Sequence, residues 1–236
     1  MILETLTRPE VREPVFESLQ SDPVENGKAG EERLVISGVS WNQYLQLDHA
    51  LGADRSDPRL YYLNGEVEIM TTSLLHEKLK EWLGDLIGDY LMETGREAFL
   101  HGQATMRIFK EAGAEPDKSW CFDEDKEWPD MVLEIALTSG GIPKLDIYRQ
   151  FGVSEVWLWR KDMLEIWHLR RNRSGYEGPT KKSRLLPDFD ITALAQCLSL
   201  PSWRQARLAF RQTLKRKRRP LRHAHRPAHQ KSRARR

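Results

Sequence analysis

The chain has 236 residues, 39% hydrophobic and 31% charged with a formal net charge of +2, enough for one good-sized core in a single domain with tails. Nothing approaches the roughly 18 consecutive apolar residues of a membrane span, and the N-terminus, with Glu4, Glu10 and Glu13, lacks the basic-then-apolar order of a signal peptide, so a soluble, cytoplasmic protein with no membrane partner is expected. Cys121 and Cys197 stand far apart in sequence, outside any C-x-x-C or Cys/His cluster, which points to reduced, buried thiols rather than a disulfide framework or a zinc site.

Residues 1–33 are rich in Glu, Pro and Gly with little periodicity and read as a flexible lead-in. The globular region, 34–200, opens near Leu34. Ser40 is placed to cap a short helix from Trp41 to about His49, with Tyr44, Leu45 and Leu47 as its apolar residues. Leu60–Leu63 and Glu66–Met70 flank Asn64-Gly65, the dipeptide of a two-residue turn that needs positive φ twice, and so form a hairpin. From Leu74 to about Glu93, Leu75, Leu79, Trp82, Leu83, Leu86, Ile87, Tyr90 and Leu91 recur at helical spacing, with Thr72 or Ser73 as cap and Gly95 as left-handed stop. Strands are expected near Ala98–Phe109 and Lys118–Phe122, separated by a turn at Glu111–Pro116, and then along Pro129–Leu137. Pro143 fits the first turn of a helix that runs to Gln150 and stops at Gly152. A second hairpin uses Glu155–Trp159 and Met163–Leu169, a last strand lies near Lys181–Leu186, and helices occupy Ile191–Leu198 and Trp203–Leu214. This order suggests an α+β fold with a mixed sheet flanked by helices rather than a doubly wound parallel one.

The end of the chain conceals a charge segregation. All 35 acidic residues and 23 of the 37 Lys/Arg lie in residues 1–190, for a net −12, and the other 14 basic residues lie in 191–236. Residues 201–236 are read as a helix followed by a disordered basic tail. Lys215, Arg216, Lys217, Arg218 and Arg219 open that tail as candidate phosphate contacts. A solubilising tail, or one folded back on the acidic body, is the alternative.

Within Trp128-Pro129-Asp130-Met131-Val132-Leu133-Glu134-Ile135-Ala136-Leu137, strand alternation points Asp130, Val132, Glu134 and Ala136 one way and Met131, Leu133, Ile135 and Leu137 the other. The run is apolar enough for burial on both faces, where an ionised Glu134 must be paired or hold a cation. Hydrolysing a phosphodiester needs two or three oxygen ligands converging on a hard cation, and carboxylates on neighbouring strands supply them. Asp117 at the start of one strand and Glu134 on the next are such a pair. Lys144 is a third candidate, because a cation in the first helical turn opposes the macrodipole; it either serves the site or pairs with Asp146 or Glu155 on the surface.

These residues resemble the Uma-type restriction-endonuclease family of the PD-(D/E)XK nuclease superfamily. The resemblance rests on Leu63-Asn64-Gly65-Glu66 through Met70, on His76, on Glu115-Pro116-Asp117, on Pro129 through Ile135, and on Lys144, Tyr148 and Phe151 through Leu158, and spans about 34–200. It implies a restriction-endonuclease-like core, central mixed β-sheet flanked by helices, with Mg2+ or Mn2+ as cofactor and DNA as substrate. It assigns Asp117 as the first metal-binding carboxylate, Glu134 as the second and Lys144 as the catalytic lysine. In the commonest superfamily pattern the lysine lies two residues after the acid; here Ala136 stands there and the loop Ser139–Pro143 is short. Asp130 competes as a ligand, Glu66 or Glu68 is a further candidate acid, and His76 a candidate at the rim. A homodimer is compatible with this reading. The alternatives are an inactive nuclease-fold protein that binds nucleic acid or a partner through its basic tail, and a tail directed at RNA or acidic proteins.

Overall fold

The computed structural model describes residues 31–52 and 55–218. The lead-in expected over 1–30 and the tail over 219–236, Arg219 included, lie outside the described residues. Along the chain run β1 (Arg33–Ser37), α1 (Trp41–Leu51), β2 (Arg59–Leu63), β3 (Glu66–Met70) and α2 (Leu74–Thr94). There follow β4 (Ala98–Leu100), β5 (Met106–Ile108), β6 (Ala112–Ala114), β7 (Lys118–Phe122) and β8 (Met131–Ile135). The C-terminal half holds α3 (Lys144–Phe151), β9 (Glu155–Arg160), β10 (Met163–Leu169), β11 (Tyr176–Thr180), α4 (Ile191–Leu198) and α5 (Trp203–Arg218).

Local chemistry sets most boundaries. Asn64 and Gly65 both take positive φ, 47° and 94°, as the β2–β3 turn requires. The Ser73 hydroxyl accepts from His76 N–H at the start of α2, and left-handed Gly95 ends it. Ser40 and Gln43 form a reciprocal capping box at α1. Pro143 caps α3, which makes Lys144 its first residue, and Gly152 terminates it.

The strands form two sheets. A mixed six-stranded sheet has the order β11-β10-β9-β8-β7-β4, and an antiparallel five-stranded sheet the order β1-β3-β2-β6-β5. Among the described strands only β8 and β9 run parallel, joined through α3, and such a pair needs a crossover helix of this kind. The alternation expected for β8 is observed: Met131, Leu133 and Ile135 join Trp157 and Trp159 under α2, α4 and α5. Val132 on the other face joins Val156, Leu158, the α3 residues Ile147, Tyr148 and Phe151, and Tyr61, Met70 and Met106 of the second sheet. The site lies on this inter-sheet side. Among the described residues no helix is long and apolar enough to cross a membrane.

Four expectations need correction. Ala98–Phe109 is not one strand but β4 and β5 in different sheets, with the chain crossing between them. The expected turn at Glu111–Pro116 contains β6, whose Ala-Gly-Ala sequence carries no strand pattern; its Gly113 is needed because a Cβ there would overlap the Tyr44 hydroxyl. The last strand is Tyr176–Thr180 rather than Lys181–Leu186, and Pro179 is tolerated because β11 is an edge strand. The globular region includes residues before Leu34, because Glu31 is buried and Arg33 lies in β1.

Helix α5 extends past Leu214 to Arg218, so Lys215, Arg216, Lys217 and Arg218 are helical. Its contacts step along α2 in fours: Trp203 Nε1 to Asp85 (2.5 Å), Arg207 doubly to Asp89 (2.7 Å each) and Arg211 to Glu93 (2.9 Å). Lys215 Nζ lies 3.8 Å from Glu93. Part of the C-terminal positive charge thus meets the acidic body, on the side of the tail alternative. Arg207→Ala strands the buried Asp89 carboxylate and is expected to lower stability by about 1–3 kcal/mol, read from urea unfolding. A loss within about 0.5 kcal/mol, the scatter of ordinary surface changes, would show that the α2–α5 pair does not contribute.

Candidate active site

Pairing of β7 with β8 sets Lys118 opposite Leu133, and one further step brings Asp117 beside Glu134. Both are closed from solvent, at 0% and 2% exposure. Asp117 Oδ2 accepts the Ile135 N–H at 2.7 Å, and Arg59 approaches Oδ1 at 3.1 Å, although Oδ1 accepts no hydrogen bond. His76, buried at the start of α2, brings Nε2 within 3.3 Å of Oδ2, as an ionic contact rather than an aligned hydrogen bond. Burial would raise the Asp117 pKa, but the contacts with His76 and Arg59 hold it below the usual range. Burial likewise opposes a charged His76, and Asp117 outweighs it, so the imidazole stands above its ordinary value.

Glu134 faces two tyrosines. Tyr148 from α3 donates to Oε1, and Tyr61 from β2 lies 3.2 Å from Oε2. The Tyr61 hydroxyl is also 3.0 Å from the Glu115 carbonyl; with one proton to give, it satisfies both if Glu134 is protonated and donates to it. The electrostatics agree with a held proton. Burial, reinforced by the Asp117 charge, pushes Glu134 up to about 7 against the pull of Lys144 and Tyr148.

Lys144 reaches back from the first turn of α3. Its Nζ donates to Glu68 Oε1 at 3.1 Å and lies over the Tyr61 ring; burial pulls its pKa down to about 8, against the charges of Glu134 and Glu68. Neither surface partner considered from sequence is used: Asp146 faces Arg149, and Glu155 accepts from Ser183 and Trp157. Glu68 also accepts from Arg33 (2.9 Å) and from the Ile142 N–H (2.7 Å). A Cβ on Gly141, at φ 87°, would overlap its carboxylate, so the Gly140-Gly141 loop folds directly onto Glu68. Arg33 is shared in turn with Glu31, which also accepts from Thr138 at 2.7 Å.

The structure therefore brings together Asp117, Glu134, Lys144 and His76. Asp130 is elsewhere engaged, by Lys126 (2.8 Å) and the Phe122 N–H (2.8 Å). Glu66 is exposed and takes the Ser37 hydroxyl at 3.2 Å; Glu68 holds the buried position. Sequence reasoning did not place Glu31, Arg33, Arg59, Tyr61 or Tyr148 in the site. Tyr148 alone carried a local signal, because it lies one helical turn from Lys144. Beside Lys144, whose side chain is 11% exposed, a cleft of about 810 Å³ is lined by Arg33, Gly140, Gly141, Leu158, Arg160 and Lys161 among others. A cleft of similar size between Tyr90 and Lys182 lies on the α2 side of the sheet and contains none of these acids.

Residues 41–199 match the family Uma2, described as "Putative restriction endonuclease", and the chain belongs to that family. No curated protein matches. Among solved structures, the crystal structure of a "putative nuclease belonging to DUF820" from Anabaena variabilis matches at a TM-score of 0.46 and 11% identity, over 73% of this chain and 99% of that one.

The raised pKa of Glu134 has a stability consequence. Between 4.5, its value when solvated, and about 7, the native carboxyl keeps a proton that the unfolded chain has released, so this group's contribution falls as pH rises through that window. Glu134→Gln removes the titration. The variant is expected to melt near wild type at pH 5 and above it at pH 8, by about 2–4 °C for each kcal/mol relieved. A variant melting below wild type at pH 8 in differential scanning calorimetry would show the carboxylate to be fully compensated.

Proposed function

We propose that this chain is a metal-dependent DNA endonuclease whose catalytic set is Asp117, Glu134 and Lys144. The observation that carries the reading is the convergence of the two carboxylates from neighbouring strands with an amine delivered from α3, in a chain of the restriction-endonuclease family. The donor set fits a hard cation. Asp117 and Glu134 offer only oxygen, their mutual repulsion helps raise Glu134, and the buried Asp117 Oδ1 accepts no hydrogen bond. Mg2+ or Mn2+ held by Asp117 and Glu134 would neutralise charge at the scissile phosphate and acidify water.

The chain's own groups do the rest. Lys144, with a pKa near 8, is an ammonium at neutral pH and can orient water or stabilise charge developing on phosphate. Glu68 holds it in place, and Arg33 and the Ile142 N–H hold Glu68. Tyr61 and Tyr148 fix the Glu134 carboxylate. Arg33, Lys144, Arg160 and Lys161 give the adjoining cleft a basic lining suited to a phosphate backbone; Arg216, exposed on α5, belongs to the opposite side of the mixed sheet. One observation favours the second reading, an inactive nuclease-fold protein that binds nucleic acid: Asp117 and Glu134 are shut from solvent.

Cleavage of supercoiled plasmid and of single-stranded DNA with Mg2+ or Mn2+ separates the two. Wild type is expected to cut, and Glu134→Gln and Lys144→Ala to lose about 10²-fold or more, as removal of a positioned electrostatic group does. Equal activity in all three would remove Glu134 and Lys144 from the mechanism, and chelator-insensitive binding with no cleavage would leave the binding reading. Because Glu134 must be ionised and Lys144 protonated, activity should rise through about pH 7 and fall through about pH 8; higher cation concentration should move the rising limb to lower pH. A flat pH–rate profile across both values would remove these two groups from the rate.

A further inference from the structure

His101, Cys121 and Asp125 take no part in the site above. Pairing of β4 with β7 sets Phe99 opposite Cys121, and just beyond β4 the His101 N–H donates to the Ser119 carbonyl at 3.1 Å, which brings the imidazole back over β7. The chain leaving β7 turns through left-handed Asp123 (φ 68°) and is tied down by the Lys126–Asp130 pair, so that Asp125 arrives at the same ring. His101 Nε2 lies 2.7 Å from Asp125 Oδ1 and 3.7 Å from Cys121 Sγ. The three donor atoms lie within 4.8 Å of one another.

The same ring nitrogen faces both the thiol and the carboxylate. In a nucleophile–histidine–acid relay, opposite nitrogens serve the two partners, so this is not a relay. Three donors instead converge on one point, as ligands do around an ion. For tetrahedral zinc with bonds of about 2.3 Å to sulfur and about 2.0–2.1 Å to nitrogen, the sulfur–nitrogen edge is about 3.6 Å, close to the spacing present. The nitrogen–oxygen edge must widen by about 0.6 Å, and Asp125, with a 66% exposed side chain, is free to yield it. A thiolate, an imidazole and a carboxylate suit a borderline ion such as Zn2+ or Co2+ and not Mg2+, which takes oxygen.

We infer that His101, Cys121 and Asp125 form a second metal site, for an ion of the Zn2+ class, with a fourth position left for water. Binding exchanges the Cys121 thiol proton for the metal and releases that proton to solvent. The ion joins the edge strand β4 to the loop that leads into β8, apart from the carboxylates assigned to the nuclease site.

The test is a Co2+ titration of the chelator-stripped full chain, followed by the near-ultraviolet thiolate-to-cobalt absorption and by displacement with Zn2+. One equivalent should bind with that band, excess Mg2+ should not displace it, and Cys121→Ser should abolish it while Cys197→Ser leaves it intact. His101→Ala, a half-buried change that spares the core if Cys121→Ser fails to fold, should weaken binding at least about tenfold. Cobalt held by Asp117 and Glu134, which offer no sulfur, adds nothing to the thiolate band, which keeps the test independent of the nuclease reading. No thiolate band in wild type, a band that survives Cys121→Ser, or unchanged affinity in His101→Ala would overturn the inference.

Discussion

A carboxylate buried between two sheets is the constraint on which the site depends. Glu134 sits in a strand whose neighbours are apolar on both faces, where a lone charge is too costly to keep. Two tyrosine hydroxyls, a proton retained near neutrality and a lysine from the next helix meet that demand. Tyr61 comes from β2 and Tyr148 and Lys144 from α3, so the five-stranded sheet, α3 and β8 must all be in place before Glu134 is tolerated. The geometry that stabilises the acid is also the geometry that could use it.

Around this pair the charges form an alternating chain. Arg59 and His76 face Asp117, Lys144 joins Glu68, and Arg33 links Glu68 to Glu31. Buried ions in such an arrangement add little net stability, because desolvation offsets most of their attraction, yet removing one partner leaves another uncompensated. This suits a preorganised site better than a stabilising device. The position of Lys144 then makes sense: in the first turn of α3 it opposes the helix dipole, and Glu68 supplies the compensation that the helix does not.

A separate electrostatic arrangement closes the other side of the mixed sheet. Asp85, Asp89 and Glu93 recur every four residues on α2, and Trp203, Arg207 and Arg211 do so on α5. Equal spacing on two helices running the same way lets every step be matched. The segregation of acids and bases along the chain therefore has a folding role within the described residues, in addition to any contact with phosphate.

How much of this was legible in the sequence follows from the range of the forces involved. Local rules sufficed for the Asn64-Gly65 hairpin, for α2 between Ser73 and Gly95, for β7 and for α4, because turn chemistry, caps and periodicity act over a few residues. The same rules marked Glu134 as an anomalous acid and raised Asp117 and Lys144 as candidates, and the family resemblance assigned their roles. They failed at β6, where Ala-Gly-Ala has no pattern and strand formation depends on Tyr62 and Leu63 pairing across to it, and at Glu31 and Arg33, which join the site only through contacts over 35 to 107 residues of sequence. The second sheet, the tyrosine pair on Glu134, the choice of Glu68 over Glu66 and the meeting of His101 with Cys121 all required tertiary structure. Sequence by itself determined which residues were costly to bury and where the chain turns; only the packing of two sheets decided what lies opposite them, since the partners that offset a buried charge are set by proximity in space and leave no periodic trace along the chain.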